Sequence, residues 1–232
     1  HYGDIVGVAG SNPAAPTIRG RKMATEKYIK KLVKEGNQSL NSKNWDDGYK
    51  IFNELNELIP NNYPILMNLS SCLTNISKYK EAHDIINKLE KLTPLNINVN
   101  YSRGCIYELE KKFELALQSF KKCLKIDKDH TDSWLKSALI LRRTHKYQES
   151  IELYKYLIQR NPNNSDIAVD YCDALYENNQ KEEAEKILKK LIDHDSQNSN
   201  AKKVLARIYH NIPGKKEEAI LLEKESDGSI SF

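Results

Sequence analysis

Nowhere in the 232 residues does an apolar run approach the roughly 20 residues that a membrane-spanning helix needs, so no span is expected. Cysteine is sparse: Cys72, Cys105, Cys123 and Cys172 are scattered singly, with no CxxC pair and no companion histidine spacing. That arrangement suggests neither a zinc site nor a redox motif; the four read as small apolar core residues, at home in a reducing compartment. A cytoplasmic location fits this reading, with a ciliary or organellar assembly as the alternative. Catalytic patterns are missing too. The chain has no G-x-S-x-G, no H-E-x-x-H and no glycine-rich phosphate loop, and its acidic pairs, such as Glu182 and Glu183, look like ordinary surface acidity. Its six histidines, His1, His83, His130, His145, His194 and His210, are dispersed along turns and exposed faces. No catalysis, metal or cofactor is therefore expected.

Charge of one sign is also lacking, since 36 basic residues against 32 acidic ones leave a formal net charge of only +4. Lys121, Lys122, Lys125 and Lys128, like Lys189 and Lys190, read as solvated helix faces, and nucleic-acid binding is not implied. Sequons at Asn37, Asn68, Asn75 and Asn163 are what an Asn-rich chain produces by chance.

Glycine and proline are concentrated where helical patterning is absent. Gly3, Gly7, Gly10, Gly20, Pro13 and Pro16 punctuate the start of the chain, so residues 1–24 are expected to form an irregular tail. The chain begins at His1 and Met23 directly precedes the helical material, so the expectation is either that residues 1–22 are an appended segment or that the protein is a processed or trimmed product. Beyond it, 39% hydrophobic and 29% charged residues suit helices with one buried stripe and one solvated face.

What dominates that remainder is a 34-residue step. Gly36, Ser70, Gly104, Ala138 and Cys172 are evenly spaced by it, as are Gly48, Ala82, Ala116, Ser150 and Ala184. A third series, Phe52, Ile86, Phe120, Tyr154 and Leu188, trails the second by four residues. Small residues recur where two helices must touch, and large apolar ones recur beside them. Pro60, Pro94 and Pro162 keep the same phase, each able to end a helix. Trp134, Tyr107, Tyr154, Tyr171 and Tyr209, at repeat-spaced positions, are expected in the core.

The step is the period of the tetratricopeptide repeat, a stacked helix-turn-helix unit. Trp134, Ala138 and Leu141 occupy the W, G and Y slots of its W-x2-L-G-x2-Y pattern; Gly104 and Tyr107 fill the last two slots one unit earlier, and Ala116 with Phe120 supplies its A-x3-F pair. The chain thus resembles a tetratricopeptide protein, over residues 25–225. Its units run 29–62, 63–96, 97–130, 131–164, 165–198 and a degenerate 199–225. The last carries one extra residue in its turn beside Pro213 and Gly214 and reads as a terminal cap. The resemblance implies an all-α fold, a right-handed superhelical α-solenoid of about six repeats. Residues 226–232 are expected to form a C-terminal tail whose Ile230 and Phe232 could fold over Ile220, Leu221 and Leu222.

In this family the first helices line a concave groove that holds a partner. The slot after the Trp position holds Val33, Met67, Tyr101, Leu135 and Val169, and then Lys203; the slot four residues on holds Asn37, Ser71, Cys105, Leu139 and Asp173, and then Arg207. The resemblance therefore implies a groove apolar through its middle and polar at its ends, suited to a peptide or amphipathic helix with apolar anchors. The family's carboxylate clamp for chaperone tails is not expected. Asn37 and Asn68 fall on its Asn slots, but Val33, Asn98 and Ser102 stand where its cations belong. A period of 34 also sets the chain apart from pentatricopeptide RNA readers. The expected function is a non-catalytic interaction adaptor or scaffold for a protein or peptide. The alternatives are a structural subunit of a ciliary, mitochondrial or transport machine, and a non-catalytic auxiliary subunit of an enzyme complex.

Overall fold

Two apolar-periodic stretches joined by a turn of three or four residues leave the chain little choice but a helical hairpin, and the same hairpin recurs along the sequence. The computed structural model describes the backbone of residues 18–228, with side chains from residue 25 onward. Over those residues it is all-α: α1 (Ile18–Asn41), α2 (Trp45–Leu58), α3 (Tyr63–Asn75), α4 (Tyr79–Leu92), α5 (Ile97–Leu109), α6 (Phe113–Ile126), α7 (Thr131–Arg143), α8 (Tyr147–Arg160), α9 (Ser165–Glu177), α10 (Lys181–His194), α11 (Ser199–His210) and α12 (Lys216–Ser226). First helices start at 63, 97, 131, 165 and 199, and second helices at 45, 79, 113, 147 and 181, every one on the 34-residue step. α12 starts at 216, one residue late, in keeping with the extra residue in its turn. α1 begins at Ile18, so residues 18–24, expected to be irregular, are helical. No proline follows Pro16 until Pro60, and a lone Gly20 costs a helix only about 1 kcal/mol. Residues 1–17 and 229–232 lie outside the described residues, and with them the proposed packing of Ile230 and Phe232.

Local chemistry repeats as strictly as length. Asn62, Asn96, His130, Asn164 and Asn198 cap the first helices α3, α5, α7, α9 and α11, each side chain accepting from a backbone N–H in the first turn. Within the hairpins, Lys43, Ser77, Lys111, His145 and Asn179 hold the left-handed conformation at φ 56 to 63°. The next residue's N–H reaches back to a carbonyl five residues earlier, as from Lys112 to Tyr107 at 2.8 Å and from Lys146 to Leu141 at 2.9 Å. In the sixth hairpin the left-handed position falls on Gly214 at φ 84°, and Lys215 bonds to Ile212 instead.

The chain divides into two compact units, His1–Ile85 and Ile86–Phe232, with the division inside α4. In the first, Phe52 of α2 closes on Gly36 of α1, where an added Cβ would lie 2.9 Å from the ring, and Cys72 of α3 lies against Gly48. Leu55, Leu66 and Leu69 are buried beside them. In the second, Phe120 of α6 covers Gly104 of α5 so closely that a Cβ there would stand 2.5 Å from the ring. Ala138, Ser150, Tyr154, Cys172, Ala184 and Leu188 continue the small and large series, all fully buried, and the buried Ser150 hydroxyl is satisfied by the Ala138 carbonyl at 2.8 Å. Tyr171 and Tyr209 are buried as expected, whereas Trp134 is half-buried, its ring N–H donating to the Lys128 carbonyl at 2.8 Å.

Three of the cysteines are buried, Cys105 is half-buried, and all four are free thiols. Burial pushes Cys72 and Cys105 up to about 11 and Cys172 up to about 12. At the C-terminal end, α12 docks through Ala219, and the buried Lys202 of α11 pairs with Glu225 at 2.8 Å. Leu222 packs on the core, while Ile220 and Leu221 stay exposed. The α10–α12 corner is held by Glu185, which accepts from Lys189 at 2.8 Å, Lys215 at 2.9 Å and the Tyr209 hydroxyl at 3.0 Å.

Two glycines in this fold answer to different physics. Gly104→Ala gains helix propensity but drives a methyl into Phe120, so a net loss of about 1 to 3 kcal/mol is expected in urea denaturation. Gly214 has nothing within 4 Å of an added Cβ, so Gly214→Ala is expected to cost about 1 kcal/mol through backbone strain alone. Glu185 yields a pH dependence. Hydrogen bonds from Lys189, then Lys215, hold its carboxyl at about 2, below the ordinary 4.5. The stabilisation is present above pH 4.5 and disappears as pH falls toward 2; in Glu185→Gln, urea midpoints are expected to be lower at neutral pH and to change less across that window.

Candidate functional site

First helices of the second unit follow one another on the 34-residue step, and side chains about one repeat apart meet across them. Glu108 of α5 is 8% exposed and receives two cations from α7, Lys136 at 2.9 Å and Arg143 at 2.8 Å. Arg142 of α7 reaches forward to α9, bonding Asp173 at 2.8 Å and Glu177 at 3.5 Å. Arg207 of α11 closes on the same Asp173 from the other side. Ion pairs thus link α5 to α7, α7 to α9 and α9 to α11. The network is not complete, since the Arg142 Nε is buried without a partner among the described residues. Burial opposes the Arg142 charge, but Asp173 and Glu177 more than offset it and hold its pKa up.

Between these ionic links sit the apolar positions expected to line the groove. Tyr101 and Leu135 are half-buried, and Val169 is 7% exposed. The Tyr101 ring lies 5.5 Å from Phe120 and 5.4 Å from His130, and burial pushes its hydroxyl pKa well up. Cys105 and Leu139 are also half-buried. Asp173, expected as a polar groove position, is paired with Arg142 and Arg207. In the first unit Val33 and Asn37 are exposed on α1; on α3, Met67 is half-buried and Ser71 exposed. Asn37 lies in α1, Asn68 and Asn75 in α3, and Asn163 in the α8–α9 turn.

Two clefts flank this arrangement in the second unit. One, of about 430 Å³ between α9 and α11, is lined by Asp166, Asp170 and Asp173 together with Val169, Val204 and Lys203. The other, of about 570 Å³ beside α6, joins Leu95 and Ile126 to Lys122 and Lys125. Leu95 is 79% exposed and holds φ 64°, a conformation leucine seldom adopts. Lys121, Lys122 and Lys125 are exposed on α6, and Lys128 stands in the turn after it. Sequence reasoning missed His130 as a helix cap and ring partner of Tyr101; its place in the capping series, 34 residues after Asn96, was the available signal. Among the described residues no three of His, Cys, Asp and Glu gather as a metal-holding group, and no helix is long and apolar enough to cross a membrane.

Comparison with known proteins agrees with this geometry. Family models of the tetratricopeptide repeat match residues 97–130 and 141–208. No curated protein matches the chain. Solved structures share the fold. A tetratricopeptide repeat protein from Parabacteroides merdae superposes with a TM-score of 0.71 at 20% identity, over 90% of this chain and 84% of its own. PilF of Pseudomonas aeruginosa does so with 0.65 at 14%, over 89% and 91%. YrrB, described as a tetratricopeptide protein with an unusual peptide-binding site, gives 0.56 at 15%, over 76% and 91%. With helix starts on a 34-residue step, two matching repeat models and this shared fold, the chain carries tetratricopeptide repeats over residues 97–130 and 141–208 and has the fold built from them.

Proposed function

We propose that the chain is a non-catalytic scaffold that binds a peptide or helix of a partner protein across its first helices. The observation that carries this reading is the state of Tyr101 and Leu135, one repeat apart on α5 and α7. Both remain partly open on a face whose neighbouring charges are already paired, Glu108 with Lys136 and Arg143, and Asp173 with Arg142 and Arg207. Paired charges add little net attraction for a ligand, so apolar anchors set the affinity and the ionic rim sets the register. Cys105, Leu139 and Val169 extend the surface in the second unit; Val33, Asn37, Met67 and Ser71 are its counterparts in the first. The peptide-binding site named for YrrB supports the reading. Chaperone tails do not suit it, because Val33, Asn98 and Ser102 offer no cation to a terminal carboxylate.

A second reading, a structural subunit held in a larger assembly by its second helices, is favoured by the cleft at Leu95 and Ile126, where exposed leucine and isoleucine adjoin Lys122 and Lys125. Peptides selected from a random display library on the full chain distinguish the two. Leu135→Asp is expected to weaken their binding at least about tenfold, and Leu115→Asp, on the exposed face of α6, to change it less than about twofold. Circular dichroism checks folding, and amide exchange of the unaltered chain is expected to show ligand protection in α5, α7 and α9. Protection confined to α6 and α8, or loss of binding only in Leu115→Asp, would transfer the site to the second helices.

A further inference from the structure

Glu90 of α4, Leu95 in the turn after it, Asn100 of α5 and Lys122, Lys125 and Ile126 of α6 line the cleft of about 570 Å³ in the second unit. Leu95 is costly where it stands. An apolar side chain left in water at φ 64° gives up both burial and a relaxed backbone, whereas the same place one repeat earlier holds Asn61 at φ 63°, a residue that tolerates that region. Leu92 and Ile126, one repeat apart, are exposed at the ends of α4 and α6, where the later second helices α8 and α10 end in Arg160 and His194. The fold accepts polar residues at these positions, and here it keeps apolar ones.

Asn100 supplies an independent observation in the same lining. It is 7% exposed, its Nδ2 donates to the Asn96 carbonyl at 3.1 Å, and its Oδ1 accepts no hydrogen bond among the described residues. An amide oxygen left this way in a cleft wall calls for a donor. The charge of the cleft is one-sided as well. Glu90 is neutralised by Arg103 at 2.9 Å, but Lys122 and Lys125, three residues apart on one face of α6, form no ion pair among the described residues.

We propose that this cleft binds an acidic, aliphatic segment of a partner protein, with a branched side chain on Leu95 and Ile126, a backbone N–H donating to the Asn100 Oδ1, and carboxylates at Lys122 and Lys125. The proposal rests on the second-helix reading above, whose partner it gives a chemistry, and is independent of the first-helix groove. A polypeptide suits the cleft better than a nucleic acid or a bilayer. Aliphatic residues give bases no platform to stack on, and a flat membrane surface brings no donor to an amide nine-tenths buried.

Panning a random peptide display library on the full chain carrying Leu135→Asp, which weakens first-helix ligands, isolates the cleft. Enriched peptides are expected to combine Leu, Ile or Val with Asp or Glu. Adding Lys122→Glu with Lys125→Glu is expected to weaken their binding about tenfold, and adding Leu95→Asn instead to do the same. Enrichment that needs Leu95 but is indifferent to the lysines overturns the acidic partner and leaves the second-helix site standing; enrichment indifferent to both, or none, overturns both. Cosedimentation of the unaltered chain with phosphatidylserine vesicles, lost in the lysine variant, would assign the patch to a membrane and overturn the proposal. The free protein supplies a further readout. Leu95→Asn should raise the urea midpoint, because asparagine accepts the left-handed backbone and little contact is lost, and a lower midpoint would make Leu95 a structural residue and sink its role as an anchor.

Discussion

The structure depends on one contact, a glycine of a hairpin's first helix against a phenylalanine of its second. Gly36 with Phe52 and Gly104 with Phe120 show it at its tightest, the ring occupying the space of the missing Cβ. It fixes how closely the two helices approach, and a constant distance lets successive hairpins stack at a constant step. If the junction widened in one unit, residues 34 apart would cease to lie opposite one another. Asp173 and Arg207 are such a pair, so the ionic links between first helices are a downstream result of close packing inside the hairpins.

Those links shape the first-helix face. Glu108, Arg142 and Asp173 are mostly buried, and each is shared between helices, so they brace the array more than they invite a ligand. What bracing leaves over is apolar surface, the half-buried Tyr101 and Leu135.

Period and fold were legible because a 34-residue step sums over many weak signals. Helix starts at 63, 97, 131 and 165 came directly from it, as did the late start of α12. The capping series through Asn62, Asn96, His130, Asn164 and Asn198 was equally periodic but went unread, because attention to small and apolar residues passes over polar ones. The ionic network was not legible in that way. Glu108 meets partners 28 and 35 residues away and Arg142 one 31 away, separations set by side-chain reach and helix offset that no single period reveals.

The turn at Gly214 has a consequence for how such a chain can grow. Five earlier hairpins share one left-handed residue and one reach-back bond from the residue after it, so any of their units can be copied and spliced beside itself without changing the phase of the units downstream. The sixth breaks that interchangeability: its extra residue is absorbed in the bend, Ala219 still docks, but a segment added beyond α12 inherits an offset of one position. Lengthening by duplication is open in the interior and closed at this end.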